Sequence, residues 1–93
     1  MDKIEIHKRY CEKLNELYRE KNGLYGDSFS KTWEEEGTAV MRIRLTDKLN
    51  RVKQITMRNI DTSDADETLL DTLFDLANYA LMSAMEIANG AEK

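Results

Sequence analysis

Glu67, Asp71, Asp75 and Asn78 carry the chemistry most worth weighing in this chain. On a helix they fall in one stripe about 80° wide, running along about 16 Å. Carboxylates at i, i+4 and i+8 repel one another, so local helix stability gives no reason to build such a row. Cations do. Mg²⁺ (or Mn²⁺) takes oxygen ligands, typically one or two carboxylates together with substrate phosphates. The same stripe would also serve as a solvated helix face, or as the partner of basic residues on a neighbouring helix.

The basic residues are concentrated in one place. Arg42 to Arg58 holds six Lys and Arg residues and one acid, Asp47, a net +5 against −9 for the rest of the chain. Arg44, Asp47, Lys48 and Arg51 share a helix face of about 100°. Asp47 stands four residues before Arg51 and is placed to pair with it, leaving Arg44 and Lys48 for the acidic stripe or for a phosphate. A basic face beside a carboxylate row suits a metal–phosphate ligand, and it equally describes two helices joined by salt bridges. The overall acidity, with a pI near 5.0, argues against duplex nucleic acid, which requires many phosphate contacts.

Other chemistry is sparser. Glu34, Glu35 and Glu36 sit beside Trp33 and offer either a metal ligand, with Glu35 the candidate, or a polar helix end. His7 is the only histidine and reads as a surface residue; Cys11, the only cysteine, reads as a half-buried small side chain rather than a nucleophile. Met41, Met57, Met82 and Met85 read as core filler. No phosphate loop, dinucleotide fingerprint or HExxH is present.

The elements that must position these groups are helices. Proline is absent, and glycine occurs only at 23, 26, 37 and 90. Ile6, Tyr10, Leu14, Leu17 and Tyr18 recur at helical spacing, predicting a helix over about 3–21 that Asn22-Gly23 closes. A short helix over 31–36 follows, with Ser30 as N-cap and Gly37 as stop. A third is predicted over 38–57, capped by Thr38. A polar loop, 58–62, leads to a last helix over 64–89, with Ser63 as N-cap and Asp66 in a capping-box position. In that helix Leu69, Leu70, Leu73, Leu76, Ala77, Ala80, Leu81 and Ala84 span an arc of about 160°, wide enough to touch more than one neighbour. The expectation is an all-α bundle of three long helices and one short one, forming a single domain over residues 1–93. Its core is thin and no disulfide can staple it, so the bundle is expected to be completed by homo-oligomerisation. A lone cysteine, no signal-peptide core and no span of about 20 apolar residues place it in the cytoplasm, away from membranes.

Three blocks of the chain resemble the nucleotide modification associated domain family, small helical proteins frequent in phages and prophages. They are Lys21-Asn22-Gly23-Leu24-Tyr25-Gly26-Asp27-Ser28-Phe29, then Arg42-Ile43-Arg44 with Asp47-Lys48-Leu49-Asn50-Arg51, then Glu67 with Asp71-Thr72-Leu73-Phe74-Asp75-Leu76-Ala77-Asn78-Tyr79-Ala80. Together they cover about 21–87. The resemblance implies a role in nucleotide metabolism or base modification. It also implies a distant similarity to all-α, MazG-like nucleoside triphosphate pyrophosphohydrolases, which hold Mg²⁺ on carboxylates from two helices. This chain departs from their pattern: Glu34 to Glu36 are consecutive rather than three apart, Asp71 and Asp75 are four apart, and Asn78 stands where a further acid would be. These departures bear on catalysis more than on nucleotide binding.

The expected function is nucleoside-phosphate binding with Mg²⁺, extending to pyrophosphohydrolysis if the chain is an enzyme. Asp71, Asp75, Glu67 and Glu35 would then hold the metal, and Lys48, Arg51 and Asp47 would act on the phosphates. Arg44, Lys21, Tyr25, Trp33 and Asn78 would contact the nucleotide, Phe29 being a further aromatic for stacking. The alternatives are a non-catalytic nucleotide-sequestering or regulatory protein, and a helical protein-interaction module.

Overall fold

The computed structural model describes residues 2–91. They form four helices and no strand: α1 (Lys3–Tyr25), α2 (Ser28–Glu36), α3 (Ala39–Met57) and α4 (Leu69–Ala91). Three are long and one is short, as the sequence predicts. α4 is the hub. It packs most extensively on α3 and also touches α1 and α2, which its wide apolar arc requires. The fully buried apolar core is small, with Val40 and Ile55 on α3. Thr72 and Ser83 are buried on α4, each hydroxyl donating to the carbonyl four residues back, Thr68 and Tyr79 respectively. No helix among the described residues is long and apolar enough to cross a membrane.

Helix ends depart from the sequence reading in four places, one of them the end of α4, which runs through Gly90 to Ala91 instead of stopping at 89. α1 runs through Asn22-Gly23 and closes one turn later, where Gly26 adopts φ 59° and its N–H donates to the Asn22 carbonyl at 2.9 Å. A glycine inside a helix costs only about 1 kcal/mol, and Gly26 supplies the left-handed turn without steric penalty. α2 begins at Ser28 rather than Lys31. Ser30 is therefore inside it, and Asp27, also left-handed at φ 56°, holds the N-cap position without a side-chain bond.

α4 begins at Leu69 rather than Asp64, so Ser63 and Asp66 do not form its capping box. Ser63 N–H instead donates to Asp61 Oδ1 at 2.9 Å in a local turn. The box is built by Thr68 and Asp71: Asp71 N–H donates to Thr68 Oγ1 at 3.1 Å, and Thr68 N–H donates to Asp71 Oδ2 at 2.9 Å. Leu69 N–H is taken by Thr62 Oγ1 at 2.8 Å. The connection from α3 thus spans 58–68. It opens with left-handed Asn59 (φ 51°) and the Ile60 N–H bonded to the Ile55 carbonyl, the pairing of a Schellman end.

Candidate functional site

Lys48 and Arg51, one turn apart on α3, face α4. Lys48 Nζ lies 3.0 Å from Glu67 Oε1 and 3.0 Å from Asp75 Oδ2. Arg51 reaches Glu67 two ways, Nε to the carboxylate at 3.1 Å and Nη2 to the backbone carbonyl at 2.7 Å, and its Nε also donates to Thr72 Oγ1 at 2.9 Å. From the other side, Lys21 at the end of α1 donates to Asp75 Oδ1 at 2.8 Å. The result is a ladder of alternating charge, Lys21–Asp75–Lys48–Glu67–Arg51, tying α1, α3 and α4 together. Asp75 and Lys48 are mostly buried.

The ladder sets the protonation of its members. Burial disfavours the Asp75 carboxylate, but hydrogen bonds from Lys21 and Lys48 outweigh it and hold its pKa below the usual range. Burial likewise works against the Lys48 ammonium, and its bonds to Glu67 and Asp75 outweigh that, raising its pKa. Asp71 is also pushed down, by the Thr68 backbone N–H and hydroxyl that it accepts.

One rung of the ladder opens into a cleft of about 330 Å³. Lys21, Lys48 and Asp75 provide its charged side. Tyr18, Asn22 and Tyr25 come from α1, Ser28 and Phe29 from α2, and Asn78, Tyr79 and Met82 from α4. Phe29 is flanked by Tyr79 and Trp33, with ring centroids 6.0 and 5.9 Å away. Asn78 is fixed by donating one amide N–H to the Leu14 carbonyl at 3.1 Å, which leaves its second N–H and its carbonyl oxygen as polar groups.

Of the residues singled out from sequence, Lys21, Tyr25, Lys48, Asp75 and Asn78 meet in the cleft, while Arg51 and Glu67 continue the ladder beside it. Trp33 stacks behind Phe29 and does not line the cleft. Arg44 and Asp47 are exposed on α3. The expected Asp47–Arg51 pair is not the one formed, because the better-shielded Glu67 and Thr72 take the guanidinium. Asp71 is exposed and committed to the cap, and Glu35 is exposed on α2. Among the described residues no three of His, Cys, Asp and Glu gather as a metal-binding group. The two inward carboxylates, Glu67 and Asp75, share Lys48 Nζ, and they are the pair that could hold a divalent ion.

His7 is exposed, as expected. Cys11 is exposed too, rather than half-buried, with its Sγ 3.7 Å from His7 Nδ1. Met57 and Met85 also stand largely in solvent instead of filling the core. Tyr18, Asn22, Ser28, Tyr79 and Met82 were not anticipated in the cleft. For Tyr18, Asn22 and Met82 the signal is the helical spacing Tyr18–Asn22–Tyr25 and Asn78–Met82, which puts each set on one face with a residue already singled out.

The sequence profile of nucleotide modification associated domain 1 matches residues 21–87. The chain belongs to this family. The matched span contains the whole charge ladder and every cleft residue except Tyr18, so the family's domain and the site coincide. The family's name associates it with nucleotide modification and specifies no activity. Neither a curated protein nor a solved structure matches the chain.

Proposed function

We propose that this member of the family binds nucleoside phosphates in the α1–α2–α4 cleft. The observation that carries the reading is the juxtaposition of two lysines, Lys21 and Lys48, with an aromatic side of Tyr25, Phe29 and Tyr79 in one cavity. Ammonium groups form charge-assisted bonds to phosphate oxygens, and aromatic faces accept a base in a sequence-tolerant manner. The cavity volume falls at the lower end of the range of about 300–1,000 Å³ typical of small-molecule sites. A phosphate would compete with Asp75 for Lys21 and Lys48, drawing the ligand's charge to that end and its base toward Phe29.

Mg²⁺ would enter with the phosphates, with Asp75 and Glu67 the residues able to hold it and the metal supplying charge neutralisation. Each of these carboxylates already has two cationic partners, which favours binding or sequestration over hydrolysis. Calorimetric titration with nucleoside mono-, di- and triphosphates, with and without Mg²⁺, tests the reading. Lys21→Ala, at an exposed position, should weaken every binding nucleotide by about one decade, consistent with the loss of roughly 1.5 kcal/mol for a charge-assisted bond. Absence of binding by any of them would leave the interaction-module reading standing. Release of pyrophosphate would make the protein a hydrolase.

A further inference from the structure

The folded chain exposes 7186 Å². A compact monomer of 10.8 kDa should expose about 5,500 Å², so about 1,600 Å² per chain is in excess. The radius of gyration, 14.8 Å, likewise exceeds the roughly 12.3 Å of a compact domain of this length. The excess has an address. α1 contains no buried residue, and large apolar side chains stand in solvent on it and on α4, among them Ile4, Tyr10, Leu81 and Met85.

Between these two helices runs a second groove, of about 270 Å³, in which Cys11 and Leu14 of α1 face Leu81 and Met85 of α4. Each helix contributes residues at i, i+3, i+4 and i+7, the row that a partner helix would pack against.

We propose that a second copy of this chain covers the α1–α4 groove. The area selects this occupant. Burying about 1,600 Å² on each of two chains gives about 3,200 Å² in total, within the range of about 2,000–5,000 Å² for obligate homodimers and well above a transient contact. Charge selects it as well. Apart from Asp71, held in the cap, and Asp75, held in the ladder, α4 carries Glu86 and no base, whereas α1 apart from Lys21 carries five bases and four acids. A twofold dimer that sets α1 of one protomer against α4 of the other pairs opposite signs twice. The groove shares Tyr18, Asn78 and Met82 with the larger cleft, so the partner borders that cleft and closes its open flank.

The test does not depend on nucleotide binding. Light scattering at micromolar concentration should give about twice the 10.8 kDa chain mass. Leu81→Glu with Met85→Glu, at two exposed positions, should give the monomer mass with an unchanged helical circular-dichroism signal. Cys11 carbamidomethylation by iodoacetamide should be slow in the wild-type dimer and rise several-fold both on dilution and in the double variant. The dilution arm needs no variant, so it remains decisive if the variant fails to fold. A wild-type monomer would overturn the proposal, as would a dimer whose Cys11 reactivity does not change with dilution or substitution.

Discussion

Lys48→Met is the most informative single perturbation of the ladder. Methionine keeps most of the apolar stem and removes the ammonium. The side chain is 21% exposed and bonds two carboxylates, Asp75 at 16% and Glu67 at 35% exposure, each at 3.0 Å. Fully shielded, two such bonds would be worth roughly 1.5–3 kcal/mol each. Two offsets reduce the sum. Asp75 retains Lys21 and Glu67 retains Arg51, so neither carboxylate is orphaned, and the cost of desolvating Lys48 is recovered. The net loss should be about 1–2 kcal/mol at neutral pH, or roughly 5–15 °C in Tm for a domain of this size. The pH dependence carries the sign. Asp75 has its pKa lowered from 3.8, so its contribution is present above that value and fades as pH falls through the depressed pKa. Lys48 has its pKa raised from 10.5, so its contribution is complete below that value and fades only as pH rises through the raised one. Urea denaturation of the variant and the wild type, with Arg44→Met as an exposed control within about 0.5 kcal/mol of wild type, should therefore show a deficit that is full near neutrality and shrinks in strong acid. A deficit matching the Arg44 control, or one undiminished where Asp75 is protonated, would refute the charge argument and leave packing as the cause.

Two further substitutions follow from the same geometry. Thr72→Val removes the fully buried hydroxyl that accepts from Arg51, and should destabilise by about 1–3 kcal/mol in the same denaturation experiment. Thr68→Ala should cost about 0.5–2 kcal/mol as an N-cap loss, while Ser63→Ala stays within about 0.5 kcal/mol; the reverse order would move the start of α4 back to Asp64.

The long helices were legible because their apolar spacing is regular; the glycines marked ends only in part, since Gly26 and Gly37 close helices while Gly23 and Gly90 lie inside them. Which of two neighbouring signals ends a helix was not. Asn22-Gly23 and Gly26 are both adequate stops, and Ser63–Asp66 and Thr68–Asp71 both fit the capping-box spacing. Tertiary contacts choose between the two boxes. Arg51 takes the backbone carbonyl of Glu67, and the Asp71 N–H that a helix begun at Asp64 would give to that carbonyl is taken by Thr68 Oγ1 instead. That choice changes the meaning of the acidic stripe. Read as one helix face, Glu67, Asp71 and Asp75 form a row. In the fold Glu67 precedes the helix and turns to α3, Asp71 is spent on the cap, and only Asp75 projects from α4 into the ladder. The partnership between the basic segment and the acids was legible as one of two readings. Its membership was not, since Arg51 rather than Arg44 joins Lys48, and Lys21 arrives from another helix altogether.

The ladder also bears on how a ligand would act on the fold. With Val40 and Ile55 as its buried apolar residues, α3 is held to α4 in good part by Lys48 and Arg51. The seat of α1 on α4 rests on three features: the Lys21–Asp75 pair, the Asn78–Leu14 bond and the edge-on contact of Tyr10 with Phe74 at 5.4 Å. A phosphate drawn to Lys21 weakens the first and leaves the other two. On the proposed reading, the charged end of α1 would change partner while Asn78 and Phe74 kept the helix in place. An ion pair suits that position better than apolar packing would. It holds the Lys21 ammonium at the cleft, where, on the proposed reading, the same group would serve an incoming anion.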